Sequence, residues 1–71
     1  MSWSQSVFSS MVSEIGYDSD SNELLVTWAK SGRTSVYSGV PEEKANQLAN
    51  APSVGTMLNN EIKPYFSHRY R

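Results

Sequence analysis

Apolar and polar positions along the chain change rhythm once, near residue 40. Ahead of that point Leu24, Val26 and Trp28 alternate with Leu25 and Thr27, so one face of an extended segment carries three large apolar groups and the other is mixed. That is the pattern of a half-buried strand. Upstream, Ser13 to Tyr17 runs into Asp18-Ser19-Asp20-Ser21-Asn22, a stretch of turn-forming residues that reads as a hairpin loop. Downstream, Lys30-Ser31-Gly32-Arg33 reads as a second hairpin turn, with Gly32 supplying the positive φ that tight turns require. Thr34 to Ser38 then forms a third, short strand. Strands joined by short turns are antiparallel neighbours, so the first half predicts a three-stranded meander.

Beyond Gly39-Val40 the period lengthens. Pro41 suits the first position of a helix, where its missing N–H costs no hydrogen bond, and Glu42 and Glu43 complement the positive end of the helix dipole. Ala45, Leu48 and Ala49 form the buried stripe, and Pro52 stops the helix by Asn50 or Ala51 because it disfavours helical geometry in the residue before it. Ser53 is a good N-cap for a second helix, whose apolar positions Val54, Met57, Leu58 and Ile62 recur at helical spacing until Pro64. The expected fold is therefore α+β, a three-stranded antiparallel β-meander followed by two short α-helices packed on one face. It divides into an N-terminal arm over 1–9, a sheet over 10–38, helices over 41–63 and a basic aromatic tail over 64–71. At least one of Tyr65, Phe66 and Tyr70 should fold back on the core. Spacing leaves open whether Trp3, Val7, Phe8 and Met11 belong to a short helix or an extended arm.

Size and composition narrow the picture. Seventy-one residues make one domain with a thin core, and the absence of cysteine leaves packing as its stabiliser. A reducing cytoplasm suits such a chain. No basic leader precedes an apolar run, and Leu24-Leu25-Val26 is far shorter than a membrane span, so neither export by a signal peptide nor membrane insertion is expected. Six basic residues against seven acidic ones leave the chain almost neutral, which argues against binding nucleic acid by bulk charge. The distribution is uneven, however: Lys63, His68, Arg69 and Arg71 make the last nine residues a positive tail.

Candidate chemistry is sparse. Asp18-x-Asp20-x-Asn22 opens like a calcium-binding EF-hand loop, but Glu23 and Ala29 stand where that loop needs glycine and a bidentate glutamate. A solvated hairpin loop accounts for the same residues. His68 is the sole histidine, with no second histidine or cysteine to complete a metal site, and in the tail it lacks the fixed position a general base needs. Adjacent Glu42 and Glu43 diverge by about 100° on a helix and do not converge as an acid–base pair. The four glycines fall at spacings that cradle no phosphate. No enzyme, cofactor or metal site is expected, and no small-molecule substrate.

Aromatic residues offer more. Trp28 and Tyr37 lie on neighbouring strands, and on an open sheet face they would stack on unpaired bases while Lys30 and Arg33 met phosphate. Alternation instead favours Trp28 in the core beside Leu24 and Val26. Tyr37 is open to either role.

Several short motifs taken in order resemble the KTSC domain, a family named for its occurrence at the C-terminus of some lysyl-tRNA synthetases and found also as a stand-alone bacterial and phage protein. They are Val7-x-Ser9-Ser10-Met11, Ile15-Gly16-Tyr17-Asp18, Leu24-x-Val26, Tyr37-x-x-Val40-Pro41 and Ala51-x-Ser53-x-Gly55, with Gly32, Ile62 and Tyr65 between and after them. The family's Tyr-x-Tyr is here Ser35-Val36-Tyr37, and its aromatic pair after Ser-x-Gly corresponds to Met57 and Leu58; both departures weaken base stacking. The resemblance implies a non-catalytic domain with RNA as the suggested partner. Two functions are expected on these grounds. One is an RNA-binding accessory domain contacting RNA through Lys30, Arg33, Tyr37, Lys63, Arg69 and Arg71. The other is a small, phage-type regulator that binds a host protein such as an RNA polymerase subunit through Trp3, Val7, Phe8 and Met11, since aromatics and methionine are enriched at interfaces.

Overall fold

In a computed structural model that describes residues 2–71, the alternation at Leu24 to Trp28 becomes the central strand of a five-stranded antiparallel sheet. Residue 1, the start of the expected arm, lies outside the described residues. The strands are β1 (Ser2–Ser6), β2 (Val12–Asp18), β3 (Glu23–Trp28), β4 (Thr34–Ser38) and β5 (His68–Tyr70), and they pair in chain order. The three expected strands are β2, β3 and β4, joined by the two expected turns, with Gly32 at φ 72°. Three strands was an undercount. The expected arm supplies β1, which pairs Trp3 with Tyr17 and Gln5 with Ile15. The tail supplies β5, which pairs Tyr70 with Ser35 and His68 with Tyr37. Neither outer strand alternates apolar with polar, and each is held by the ladder to its inner neighbour.

Between β4 and β5 the chain forms α1 (Glu42–Ala49) and α2 (Val54–Met57), the latter continuing into a π-helical turn over Leu58–Ile62. Helix α1 begins after Pro41, carries Glu42 and Glu43 in its first turn and buries Ala45, Leu48 and Ala49, as its sequence dictates. Ser53 caps α2 by accepting the Thr56 N–H at 3.4 Å. The i, i+4, i+8 series Val54, Leu58 and Ile62 faces the sheet. Gly55 lies close to the β1–β2 connection: a Cβ there would stand 3.0 Å from Sδ of Met11, a flexible side chain that would have to shift slightly. No helix is long and apolar enough to cross a membrane.

Both helices cover one face of the sheet. The core beneath them joins Ile15, Tyr17, Leu24 and Val26 to Leu48, Leu58 and Ile62, and Phe66 folds back against it. Strand alternation sends Ser4, Gly16, Leu25 and Val36 to the opposite, open face. Register thus decides which side each aromatic takes.

Candidate nucleic-acid interface

Every aromatic on the strands points to the helix-covered face. Trp28 follows Leu24 and Val26 to that side and is half-buried, its indole N–H donating to Ser35 Oγ at 2.7 Å. Tyr37, opposite Leu24, is only 2% exposed. It therefore cannot act as a stacking surface for RNA: the period of 2 that buries Leu24 buries its cross-strand partner too. Burial pushes the Tyr37 phenol above its ordinary pKa, and Tyr70 adds to the shift.

The remaining residues of the expected RNA surface separate into two groups. Arg69 lies on the open face of β5, reaching across β4 to Glu23 at 2.8 Å and donating to Ser38 Oγ at 3.4 Å. That hydrogen bond holds the Glu23 carboxyl below its usual range. Lys30, Arg33, Lys63 and Arg71 gather instead at one end of the sheet. Arg33 closes the β3–β4 turn, its carbonyl accepting from the Trp28 N–H at 2.8 Å. Arg71 continues the β4–β5 ladder, donating its N–H to the Thr34 carbonyl at 2.8 Å. Lys63 follows the π-helical turn, and its Nζ stands 5.2 Å from the centroid of the Trp28 ring. Lys30 is exposed within the turn itself.

Two of these cations, Arg33 and Lys63, rest on rings rather than on carboxylates. The Arg33 guanidinium carbon lies 3.8 Å from the centroid of Tyr70, a residue 51% exposed. His68 stands edge-on to Tyr70 with ring centroids 4.9 Å apart, and 5.2 Å from Tyr37 on its other side. Among the described residues the ion pairs of Lys44 and Arg69 engage Glu61 and Glu23, whereas none of the four clustered cations has a carboxylate partner. The result is a continuous band, Lys63–Trp28–Ser35–His68–Tyr70–Arg33, with Lys30 in the adjoining turn and Arg71 at the same end but on the open-face side, beside Thr34 and Arg69. Such a band can offer positive charge to phosphate and ring or guanidinium planes to a base. Sequence reading found the cations but missed Tyr70 and Trp28 as their partners; the signal available was Arg69-Tyr70-Arg71, an aromatic between arginines.

Ser35 holds the band together. It is fully buried, and its Oγ both accepts from Trp28 and shares a 2.9 Å hydrogen bond with His68 Nε2. A serine beside a histidine invites comparison with a nucleophile and its base. With no exposed surface and a hydroxyl already engaged twice, Ser35 gives a substrate carbonyl no approach. The pair ties β3, β4 and β5 together. Among the described residues no group of three or more His, Asp or Glu could hold a metal ion. The Asp18–Asn22 loop is a turn in which Asp18 Oδ1 accepts the Asp20 N–H at 3.0 Å.

A shallow depression of about 500 Å3 lies elsewhere, on the open face between Glu14, Leu25, Val36 and Arg69. Serine and threonine hydroxyls and the Arg69–Glu23 pair dominate that face, and no ring is presented to it. The expected protein-binding arm also divides. Trp3 packs 6.1 Å from the Tyr17 ring and donates its indole N–H to Glu42 at 3.3 Å, and Val7 packs on the core. Phe8 is wholly exposed, and Met11 is 39% exposed.

Fold and surface together define a class: a small antiparallel-sheet domain, backed by helices on one face, with cations laid on aromatic rings at one end of the sheet. The chain belongs to the KTSC domain family, whose model matches residues 8–66. It is similar to a KTSC domain protein from Yersinia pestis known from its crystal structure, at 34% identity and a TM-score of 0.89, over 100% of this chain and 99% of that one. The superposition thus includes β1 and β5, which lie outside the matched residues of the family model. Comparison with curated proteins finds no match.

Proposed function

We propose that this chain is a non-catalytic, cytoplasmic module that binds single-stranded RNA at the basic end of its sheet. The observation that carries this reading is the band itself, in which Arg33 lies on the exposed Tyr70 ring while Lys30, Arg33, Lys63 and Arg71 have no carboxylate partner among the described residues. Single-stranded RNA supplies what such a surface lacks: phosphates for Lys30, Lys63 and Arg71, and an unstacked base for the outer plane of Arg33 or the open part of Tyr70. Arg69 belongs to the internal ion pair and Tyr37 to the core, so neither is part of the contact surface. Near-neutral net charge is compatible with this reading, because the cations are concentrated at one end. Anisotropy of a labelled single-stranded RNA and of tRNA, measured at low and at physiological salt, tests it. Binding should weaken with salt at a slope of about 0.7 per phosphate neutralised in the single strand. No detectable binding at either salt removes the reading.

A second reading rests on Phe8, whose full exposure is unusual for so large an apolar side chain. Here the chain is a regulator docked on a host protein such as a subunit of the transcription machinery. Capture of one defined partner by the wild type and its loss in Phe8→Ala would favour this reading over RNA.

A further inference from the structure

The two edges of the sheet are protected unequally. β5 is three residues long and carries Arg69, so it offers little to another strand. β1 is five residues long, Ser-Trp-Ser-Gln-Ser, with no charge, no proline and no bulge in its pairing with β2. Among the described residues of β1, charge, proline and bulge, the usual devices against edge-to-edge pairing, are absent.

Which backbone groups face outward follows from the ladder. Val7 donates its N–H to the Ser13 carbonyl at 3.2 Å, and 7 opposite 13 continues the register of Trp3 with Tyr17 and Gln5 with Ile15. Residues 3, 5 and 7 thus form the hydrogen-bonded pairs with β2, and Ser2, Ser4 and Ser6 turn their N–H and C=O groups away from the sheet. Such an edge is self-complementary. An antiparallel copy related by a two-fold axis at Ser4 sets Ser4 against Ser4 and Ser2 against Ser6, and every residue so paired faces outward in both copies.

We infer that β1 is a homodimer edge, on which a second copy of this chain adds its own β1 to form one continuous ten-stranded sheet. About six backbone hydrogen bonds form, two for each of the three outward-facing pairs. Both copies keep their helices on the same face, and Trp3 of each lies opposite Gln5 of the other. Charge does not oppose the contact, since β1 contains none. The helices come to the seam as well: α1 packs on β2 and also meets β1, with Glu42 accepting from the Trp3 indole at 3.3 Å and the Ala49 carbonyl from the Gln5 amide at 3.3 Å, so a second copy brings its own α1 to the far side of the paired β1 strands. An edge contact of this kind is smaller than the roughly 1,200 Å2 of a tight dimer. The association is accordingly weak and depends on concentration.

Sedimentation velocity from micromolar concentration to about 1 mM, combined with amide exchange on the same samples, tests the inference. The wild type should pass from monomer to dimer as concentration rises. The Ser2, Ser4 and Ser6 amides should slow over the same range, while the Trp3 and Gln5 amides, already bonded to β2, change little. Ser4→Pro removes an outward N–H and leaves the β1–β2 ladder whole, so it should stay monomeric with unchanged circular dichroism. Should that variant misfold, the amide pattern of the wild type decides alone. A monomer at every concentration, a Ser4→Pro dimer as tight as the wild type, or slowed amides only at β5 or around Phe8 would each overturn it.

Discussion

The two ends of the sheet deploy charge in opposite ways. At the β2–β3 end, polar groups are spent on the fold. Tyr17 donates its hydroxyl to the Val40 carbonyl at 2.6 Å and stands 3.2 Å from Asn22 Oδ1, Asp18 ties its own turn, and Glu42 accepts from Trp3. Burial raises the Tyr17 pKa, with Glu42 and Asp18 adding to the effect. At the β3–β4 end, Arg33 and Lys63 lie on aromatic rings, and a ring leaves a cation free to meet an anion where a carboxylate does not. One end closes the fold, and the other leaves its cations facing solvent and rings. Net charge, which sums the two, conceals the difference.

The contrast breaks most easily at Tyr17. Tyr17→Ala removes a buried ring and its hydrogen bond, and should cost about 3–5 kcal/mol in urea unfolding, enough to unfold much of a domain this small. A loss below about 1 kcal/mol would mean that the acidic end does not hold the fold. Next comes Ser35→Ala, which leaves the Trp28 indole N–H and His68 Nε2 without their shared partner; about 1–3 kcal/mol is expected, with a shifted Trp28 indole NMR signal. If stability is unchanged, the band is not joined through Ser35.

Replacing Arg33 and Arg71 together by alanine sharpens the contrast. Stability should change by less than about 1 kcal/mol, while the slope of log affinity for single-stranded RNA against log salt falls by about 0.7 for each phosphate that is no longer neutralised. The smallest effect is that of Arg69→Gln. Because Arg69 lowers the Glu23 pKa in the folded state, the pair stabilises the fold above the ordinary glutamate pKa, and that contribution is lost as pH falls toward the depressed value. Urea midpoints measured from about pH 6 to about pH 3 should fall less steeply in the variant, with RNA binding unchanged at neutral pH.

The inner strands, both turns and α1 were legible because their apolar spacing and punctuation coincide: Leu24-x-Val26-x-Trp28 fixes a strand face, and Pro41-Glu42-Glu43 fixes a helix start. β1 and β5 were not, since Ser-Trp-Ser-Gln-Ser and His-Arg-Tyr become strands only through pairing with β2 and β4. The same limit hid the band. Local sequence shows Arg33 as a charge, but the Tyr70 ring it lies on comes beside it only through a β4–β5 register linking residues more than thirty positions apart. The π-helical turn ahead of Lys63 leaves no mark in the apolar spacing, which reads as ordinary helix.

The most direct measurement is an NMR titration of the 15N-labelled chain with a short single-stranded oligoribonucleotide at low salt. The account predicts shifts concentrated at the Trp28 indole, Lys30, Arg33, Lys63, Tyr70 and Arg71, which revert on adding salt, with Asp18 to Glu23 unmoved. Shifts centred on the Asp18–Glu23 end or on the open sheet face, or no shifts at all, would contradict it.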